Sequence, residues 1–215
     1  MKIYLIKQYK TTILIIVFII MFKAAYNQSY DRFGVDTSGG VIPKGLSVND
    51  IAPDFMAENQ NGKIVHLYDL LKSNKVVLFF YRGNWCPFCN TYLQDVQDSL
   101  QYLLDKQAIV IAVSPEKTEN IDKTIDKHDI AFSVLHDPGN KIMIAYNVLF
   151  NVTGMYQTKI KIGKFIDLAG FNDQDKAQLP VPATYVIDKN RKIIYTHFNV
   201  DFRQRAPISE ILKHL

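Results

Sequence analysis

The chain has two cysteines, and both lie within "FFYRGNWCPFCN", residues 79–90, as Cys86 and Cys89. Thiols at this spacing have four conceivable uses: a structural disulfide, half of a metal site, a dithiol that trades electrons with other disulfides, or a pair that attacks peroxide. A structural staple gains little here, because closing so short a loop removes little unfolded-state entropy. A zinc site needs two more ligands. The five histidines (His66, His128, His136, His197 and His214) are scattered, and none forms a second close pair. Redox chemistry suits the spacing best. One sulfur can attack the other, so a mixed disulfide with a partner is resolved internally.

The neighbours of the pair fit that chemistry. "KVVLFFY" (75–81) is a short apolar run suited to a strand buried on both faces, and a helix follows it. Pro87 fits the first turn of that helix and stiffens the loop between the sulfurs. Both cysteines then fall in the first turn, where free N–H groups and the helix dipole favour a thiolate. Cys86, at the very start, is expected to be the more exposed sulfur and the nucleophile, with Cys89 resolving. Trp85, the only tryptophan, would cover one side of Cys86. Arg82 either turns inward and supplies positive charge or is a surface arginine at a strand end.

These residues need elements to hold them. "PDFMAENQNGKIVHLYDLL" reads as a hairpin, 54–58 with 63–67, turning at Asn61-Gly62, and then a short helix over 68–72. After the cysteines, Leu93, Val96, Leu100, Leu103 and Leu104 recur at helical spacing. "AIVIAVS" (108–114) and "FSVLHD" (132–137) read as strands, with a helix over 118–129 between them and another over 141–148. Residues 150–180 show no regular pattern. "ATYVIDKNRKIIYTHF" (183–198) is a hairpin, and 207–215 a closing helix. Strands that alternate with helices and end in a hairpin imply an α/β fold: a central mixed sheet with helices on both faces and an N-terminal hairpin extension. Ligand chemistry on such sheets gathers beyond the carboxyl ends of strands, where the cysteine pair sits.

The chain has 215 residues, 48% of them hydrophobic, enough for one packed domain. Its net charge of +4 is matched by Lys2, Lys7, Lys10 and Lys23, which precede any acid, so the remainder is balanced. That gives no support to a nucleic-acid partner. The basic start and the uncharged apolar run Thr11 to Phe22 are too short for a span of about 20 residues. They read as a signal peptide, or an uncleaved membrane anchor, over 1–27. Either way the domain is expected to be exported, periplasmic or extracytoplasmic. Residues 28–45, with "GVDTSGGVIPKG", read as a linker, and 46–215 as the domain.

"FFYRGNWCPFCN", "VNDIAPDFMAENQNGKIVHLYDLL" and "LPVPATYVIDKNRKIIYTHFNVDFRQRAPISEIL" together resemble the alkyl hydroperoxide reductase / thiol-specific antioxidant (AhpC/TSA) family. More narrowly, the chain is similar to the peroxiredoxin-like branch of that family within the thioredoxin fold. The resemblance spans about residues 46–215. It implies a thiol-dependent antioxidant enzyme with no organic or metal cofactor, reduced by a partner dithiol or small thiol. Peroxiredoxins carry Pro-x-x-x-Thr-x-x-Cys after this strand. Aligning on "FFY" puts Arg82 at the proline, Cys86 at the threonine and Cys89 at the reactive cysteine. Thioredoxin-like reductases instead attack with the first cysteine, here Cys86, and place a cis-proline opposite the pair. Pro182 in "VPAT" stands at that place. The resemblance also includes Arg203 and Arg205, to which it assigns no role, and Tyr146 and Tyr156 read as structural.

Three functions follow from this reading. The pair reduces hydroperoxides, cycling between dithiol and disulfide. Alternatively it reduces disulfides of exported proteins, like the membrane-anchored thioredoxin-like proteins of cytochrome maturation. Or the domain binds partners and its thiols are inert.

Overall fold

A computed structural model describes residues 15–16, 30–39 and 42–215. The leader therefore lies outside the described residues, apart from Ile15 and Ile16. No helix among the described residues is long and apolar enough to cross a membrane.

The centre is a five-stranded sheet built from the apolar runs. In chain order the hairpin strands are β1 (Met56–Glu58) and β2 (Ile64–His66), followed by helix α1 (Leu67–Leu70) and the central strand β3 (Lys75–Phe80). The next elements are α2 (Pro87–Asp98), α3 (Leu100–Asp105), β4 (Ala108–Ser114), α4 (Thr118–His128) and β5 (Ser133–His136). The sheet order is β5-β4-β3-β8-β9, where β8 is Ala183–Ile187 and β9 is Ile193–Phe198. β3, β4 and β5 run parallel, and β8 and β9 are antiparallel to their neighbours. β3 and β8 are buried on both faces, as their unbroken apolar sequences require.

One core packs each face. Leu93, Val96 and Leu103 of α2 and α3 join Val77, Phe79 and Val110 on one side. Leu67, Phe80, Tyr146 and Tyr185 fill the other. The expected mixed sheet, with helices on both faces and an N-terminal hairpin, is thus present. The hairpin pairs Met56 with His66, turns at Gly62 (φ 69°), and reaches the sheet edge through the bridge Asn59–Leu135.

Three expectations are corrected. The single helix expected from Leu93 through Leu104 breaks at Ser99, where ψ near 1° leaves the helical region. The apolar spacing runs across the break, but Leu104 faces solvent. The helix expected over 141–148 stops early, as α5 (Lys141–Ala145). Residues 150–180 are mostly regular. They hold β6 (Leu149–Asn151), α6 (Gly154–Lys164), α7 (Leu168–Phe171) and β7 (Gln178–Pro180), with β6 and β7 forming a separate two-stranded sheet. α6 exposes Met155 and Ile162, which scatters its apolar pattern, while the Thr153 side chain caps its start. Within the stretch read as linker, Val35 is buried and bridges Val152, and Phe33 meets Phe202 edge-on. A last helix, α8 (Ile208–Lys213), closes the chain.

Candidate active site

The cysteine pair sits where β3 hands over to α2, beyond the carboxyl end of the strand. Arg82 to Trp85 make the turn. Gly83 is required there: its φ is +138°, and a Cβ would lie 2.6 Å from Trp85 Nε1. Cys86 is the N-cap of α2 in extended conformation, and Pro87 is the first helical residue. The Cys86 carbonyl accepts the N–H groups of Cys89 (3.0 Å) and Asn90 (3.1 Å). Cys89, Tyr92, Leu93 and Val96 form the buried stripe of α2, whereas Phe88, between the cysteines, points outward and is 44% exposed.

Neither sulfur is open to solvent, contrary to the expectation that Cys86 is the more exposed. Cys86 is 0% and Cys89 1% exposed, and both are free thiols. Each instead meets one arginine. Arg82 is buried and donates from Nη2 to Cys86 Sγ at 3.2 Å and from Nη1 to the Tyr156 hydroxyl at 3.0 Å. Its inward reading is the one the structure adopts. Arg205 donates from Nη2 to Cys89 Sγ at 3.0 Å and from Nε to the Phe202 carbonyl. Residues 199–206, outside the sheet, thereby lie across the pair. Phe202 stacks its ring 3.6 Å from the Arg82 guanidinium carbon, and Trp85 covers the same guanidinium at 5.1 Å.

Two buried sulfurs this close cannot both ionise at neutral pH. The Cys86 thiol is drawn down, to about 5, first by its hydrogen bond with Cys89 and then by the charge of Arg82, against the opposing effect of burial. Burial, followed by the neighbouring Cys86, pushes the Cys89 thiol well above its ordinary value, and Arg205 and Arg82 only partly offset this. These effects favour a thiolate at Cys86 beside a thiol at Cys89.

The cis-proline expected at Pro182 is not formed: every peptide bond among the described residues is trans. Pro182 is buried, and its carbonyl accepts the N–H of Asn199 (3.4 Å), where the covering segment begins. Arg203, also without an assigned role in the sequence, lies outside the site and pairs with Asp201 at 2.6 Å. Tyr146 packs in the opposite core, but Tyr156 joins the site through Arg82.

Sequence reading missed Glu116, which follows β4 and is fully buried. Its Oε2 accepts the N–H of Asn84 at 2.9 Å and so ties down the turn before Cys86. Burial raises its carboxyl pKa to about 7. The available signal was its place at the carboxyl end of a parallel strand adjacent to β3. Among the described residues no group of three His, Cys, Asp or Glu side chains could hold a metal ion.

Comparison with known proteins places this geometry. Peroxiredoxin Bcp of Bacillus subtilis is 32% identical over 103 residues, which cover 48% of this chain and 65% of that protein. Chloroplastic peroxiredoxin Q of Triticum aestivum is 27% identical over 176 residues, covering 82% of this chain and 70% of that protein. Among solved structures, peroxidoxin BcpB of Mycobacterium tuberculosis superposes with a TM-score of 0.61 at 20% identity, covering 79% and 96% of the two chains. A putative thiol:disulfide interchange protein DsbE of Chlorobium tepidum gives 0.54 at 22% identity, covering 79% and 95%. These two share the fold. The AhpC/TSA family model matches residues 48–196, from the N-terminal hairpin through the cysteine pair to β9, and the chain belongs to that family.

Proposed function

We propose that the chain reduces hydroperoxides through Cys86 and Cys89, cycling between dithiol and disulfide. The observation that carries this reading is the Cys86 sulfur 3.2 Å from Nη2 of a buried arginine, a contact that favours a thiolate there, with the Cys89 sulfur one turn further on. The thiolate attacks the peroxide O–O bond. Cys86 becomes a sulfenic acid, and the distal oxygen leaves and is protonated to an alcohol or water. Cys89 then attacks the Cys86 sulfur, a disulfide forms and water departs. A partner dithiol or small thiol restores the pair, so no organic or metal cofactor enters the cycle. The family and the names of its relatives support peroxide as the oxidant. Peroxiredoxin alignment would make Cys89 the attacking residue, but the charge distribution supports Cys86. The basic, apolar leader supports an exported domain, its span either cleaved or kept as an anchor.

One observation favours a second reading, the reduction of protein disulfides. Phe88 stands exposed between the cysteines and offers apolar surface for a protein substrate to dock.

Stopped-flow fluorescence of Trp85 separates the two readings. The ring lies against Arg82, so it reports the charge on Cys86. Reduced protein mixed with hydrogen peroxide is expected to change fluorescence far faster than a free thiol reacts. The change should vanish in Cys86→Ser and stop at the sulfenic acid in Cys89→Ser. A wild-type rate no greater than that of a small thiol of equal pKa would sink the peroxidase reading and leave the reductase.

A further inference from the structure

Helix α6 carries apolar residues on two faces, and only one face packs inside the molecule. Tyr156 and Ile160 join the core. Met155 and Ile162 are 86% and 72% exposed, and Phe165, just past the last turn, is 93% exposed. At 3.6 residues per turn Met155 and Ile162 stand two turns apart along one line, with Thr158 between them. The Thr158 hydroxyl donates to the Gly154 carbonyl at 2.9 Å, so it costs little to take out of water. Phe165 holds a left-handed conformation (φ 57°) at a position that glycine or asparagine usually fills. A bulky residue there is a conformational outlier, and its ring is left almost wholly to solvent.

Positive charge flanks this stripe. Lys159 and Lys161 fall on its two sides and Lys164 near its end, while α6 contains no acid. Among the described residues none of the three lysines enters an ion pair. The acids that follow in sequence are engaged elsewhere. Asp167 caps α7 through the Gly170 N–H (3.3 Å), and Asp173 meets Lys117 (3.8 Å).

We propose that α6 lies on an anionic phospholipid surface, with Met155, Ile162 and Phe165 at the acyl boundary and the three lysines at the headgroup phosphates. An apolar stripe rimmed by lysines is the pattern of a helix that lies in the interface plane. With 11 residues, about 16 Å, α6 is too short to span a bilayer. The course of the chain favours lipid over a protein as the occupant. Residues 34–36 are tied to the approach to α6. The Gly34 carbonyl accepts the Thr153 N–H (2.9 Å), Val35 bridges Val152, and the Asp36 N–H donates to the Asn151 carbonyl (2.8 Å). Only residues 23–29 separate Tyr30 from the apolar run Thr11 to Phe22, a reach of at most about 30 Å. A leader kept as an anchor therefore brings lipid within reach of α6, and a cleaved leader leaves α6 as the contact. Tyr156, on the inner face of the same helix, accepts from Arg82 at 3.0 Å, so docking holds the cysteine turn behind the lipid-facing helix. The proposal depends on neither redox reading.

The test uses full-length protein carrying Phe165→Trp, an aromatic exchange at an exposed site. It is mixed with vesicles of phosphatidylcholine alone or with phosphatidylglycerol, all with brominated acyl chains that quench indole. Trp85 is buried and supplies a background that the unsubstituted protein measures. On the mixed vesicles the introduced indole is expected to shift to the blue and lose most of its emission. On phosphatidylcholine alone it should stay unquenched. Lys159→Gln, Lys161→Gln and Lys164→Gln together remove three charges, each contributing about fivefold in affinity near an anionic surface. The contact should then weaken about 100-fold, and quenching should fall to the phosphatidylcholine level. All four changes are at exposed positions outside the cysteine site, and unchanged Trp85 emission checks the fold of each variant. Protein that binds the vesicles while the introduced indole stays unquenched would overturn the proposal. In that case the leader alone holds the chain, and the leader or a protein partner covers α6. Equal quenching on both kinds of vesicle, or quenching that survives the three lysine changes, would overturn it too.

Discussion

After the hydrogen bond with Cys89, Arg82 does most to hold the charge on the Cys86 sulfur. It is buried among Phe202, Trp85 and Tyr156, and among the described residues its one anionic neighbour in hydrogen-bond reach is Cys86. A buried guanidinium facing a thiolate lowers that thiol's pKa, and losing an opposite charge at this range shifts a pKa by about 1–3 units. Arg82→Gln should therefore raise the Cys86 pKa by about that amount, read as thiolate absorbance against pH. The same change should lower the reduction potential. A thiolate stabilises the dithiol form, and a thiol pKa of about 5 lies below the thioredoxin value of about 7. The wild-type potential is then expected between the thioredoxin value of about −270 mV and the DsbA value of about −120 mV. Each unit of lost thiolate stabilisation is worth about 30 mV, so at pH 7 Arg82→Gln should shift the potential by roughly 30–60 mV toward reducing. An unchanged potential would mean that Arg82 packs the site without charging it.

Among the elements, the covering segment 199–206 governs access. Both sulfurs are shut away, so peroxide and the reducing partner reach them only after something moves. This segment is outside the sheet, bends through Val200 to Arg203, and has few backbone hydrogen bonds, among them Gln204 N–H to Asp201 O (2.9 Å). Such stretches open at low cost. Phe202 holds it down, against Arg82 at 3.6 Å and edge-on to Phe33 and Phe88. A desolvated cation–π contact contributes about 2 kcal/mol. Phe202→Ala should therefore speed alkylation of Cys86 by iodoacetamide up to roughly 30-fold at fixed thiolate fraction, and an unchanged rate would move the entry route elsewhere. This element shows where reading the sequence succeeds and stops. β3, β4 and the β8–β9 hairpin were legible because unbroken apolar runs admit few alternatives, and the cysteine pair announced itself by spacing. Arg205 was not legible as a sulfur ligand, because it lies 116 residues from Cys89 and only the fold joins them. Glu116 was hidden for the same reason. α6 was hidden because Met155, Ile162 and Phe165 face solvent and blur its stripe.

For the molecule as a whole, the thiolate links redox state to stability. In the unfolded chain Cys86 titrates near ~8.5, and in the fold near about 5. A depressed pKa contributes stability that is complete above the unfolded value and is lost as pH falls through the folded one. The contribution exists only in the reduced protein, since the disulfide has no thiol to ionise. Glu116 works in the opposite sense: its folded pKa of about 7 makes the fold less stable as pH rises from about 4.5 to 7. Its carboxyl is present in both redox states, so most of that effect cancels when the two are compared. The short loop closed by the disulfide adds a stabilisation that does not vary with pH. The difference in Tm, reduced minus oxidised, is therefore expected to climb between pH 5 and about pH 8.5, to flatten below that range, and to fall above it, where the unfolded chain ionises Cys89 and the fold does not. At pH 7 the thiolate contributes roughly 2–3 kcal/mol. At about 2–4 °C per kcal/mol for a chain of this size, the climb from pH 5 to pH 7 should be about 4–12 °C. Paired thermal melts across that range measure it directly. A difference that stays flat with pH would mean that Cys86 holds its proton in the folded protein, and the thiolate on which the peroxidase reading depends would be gone.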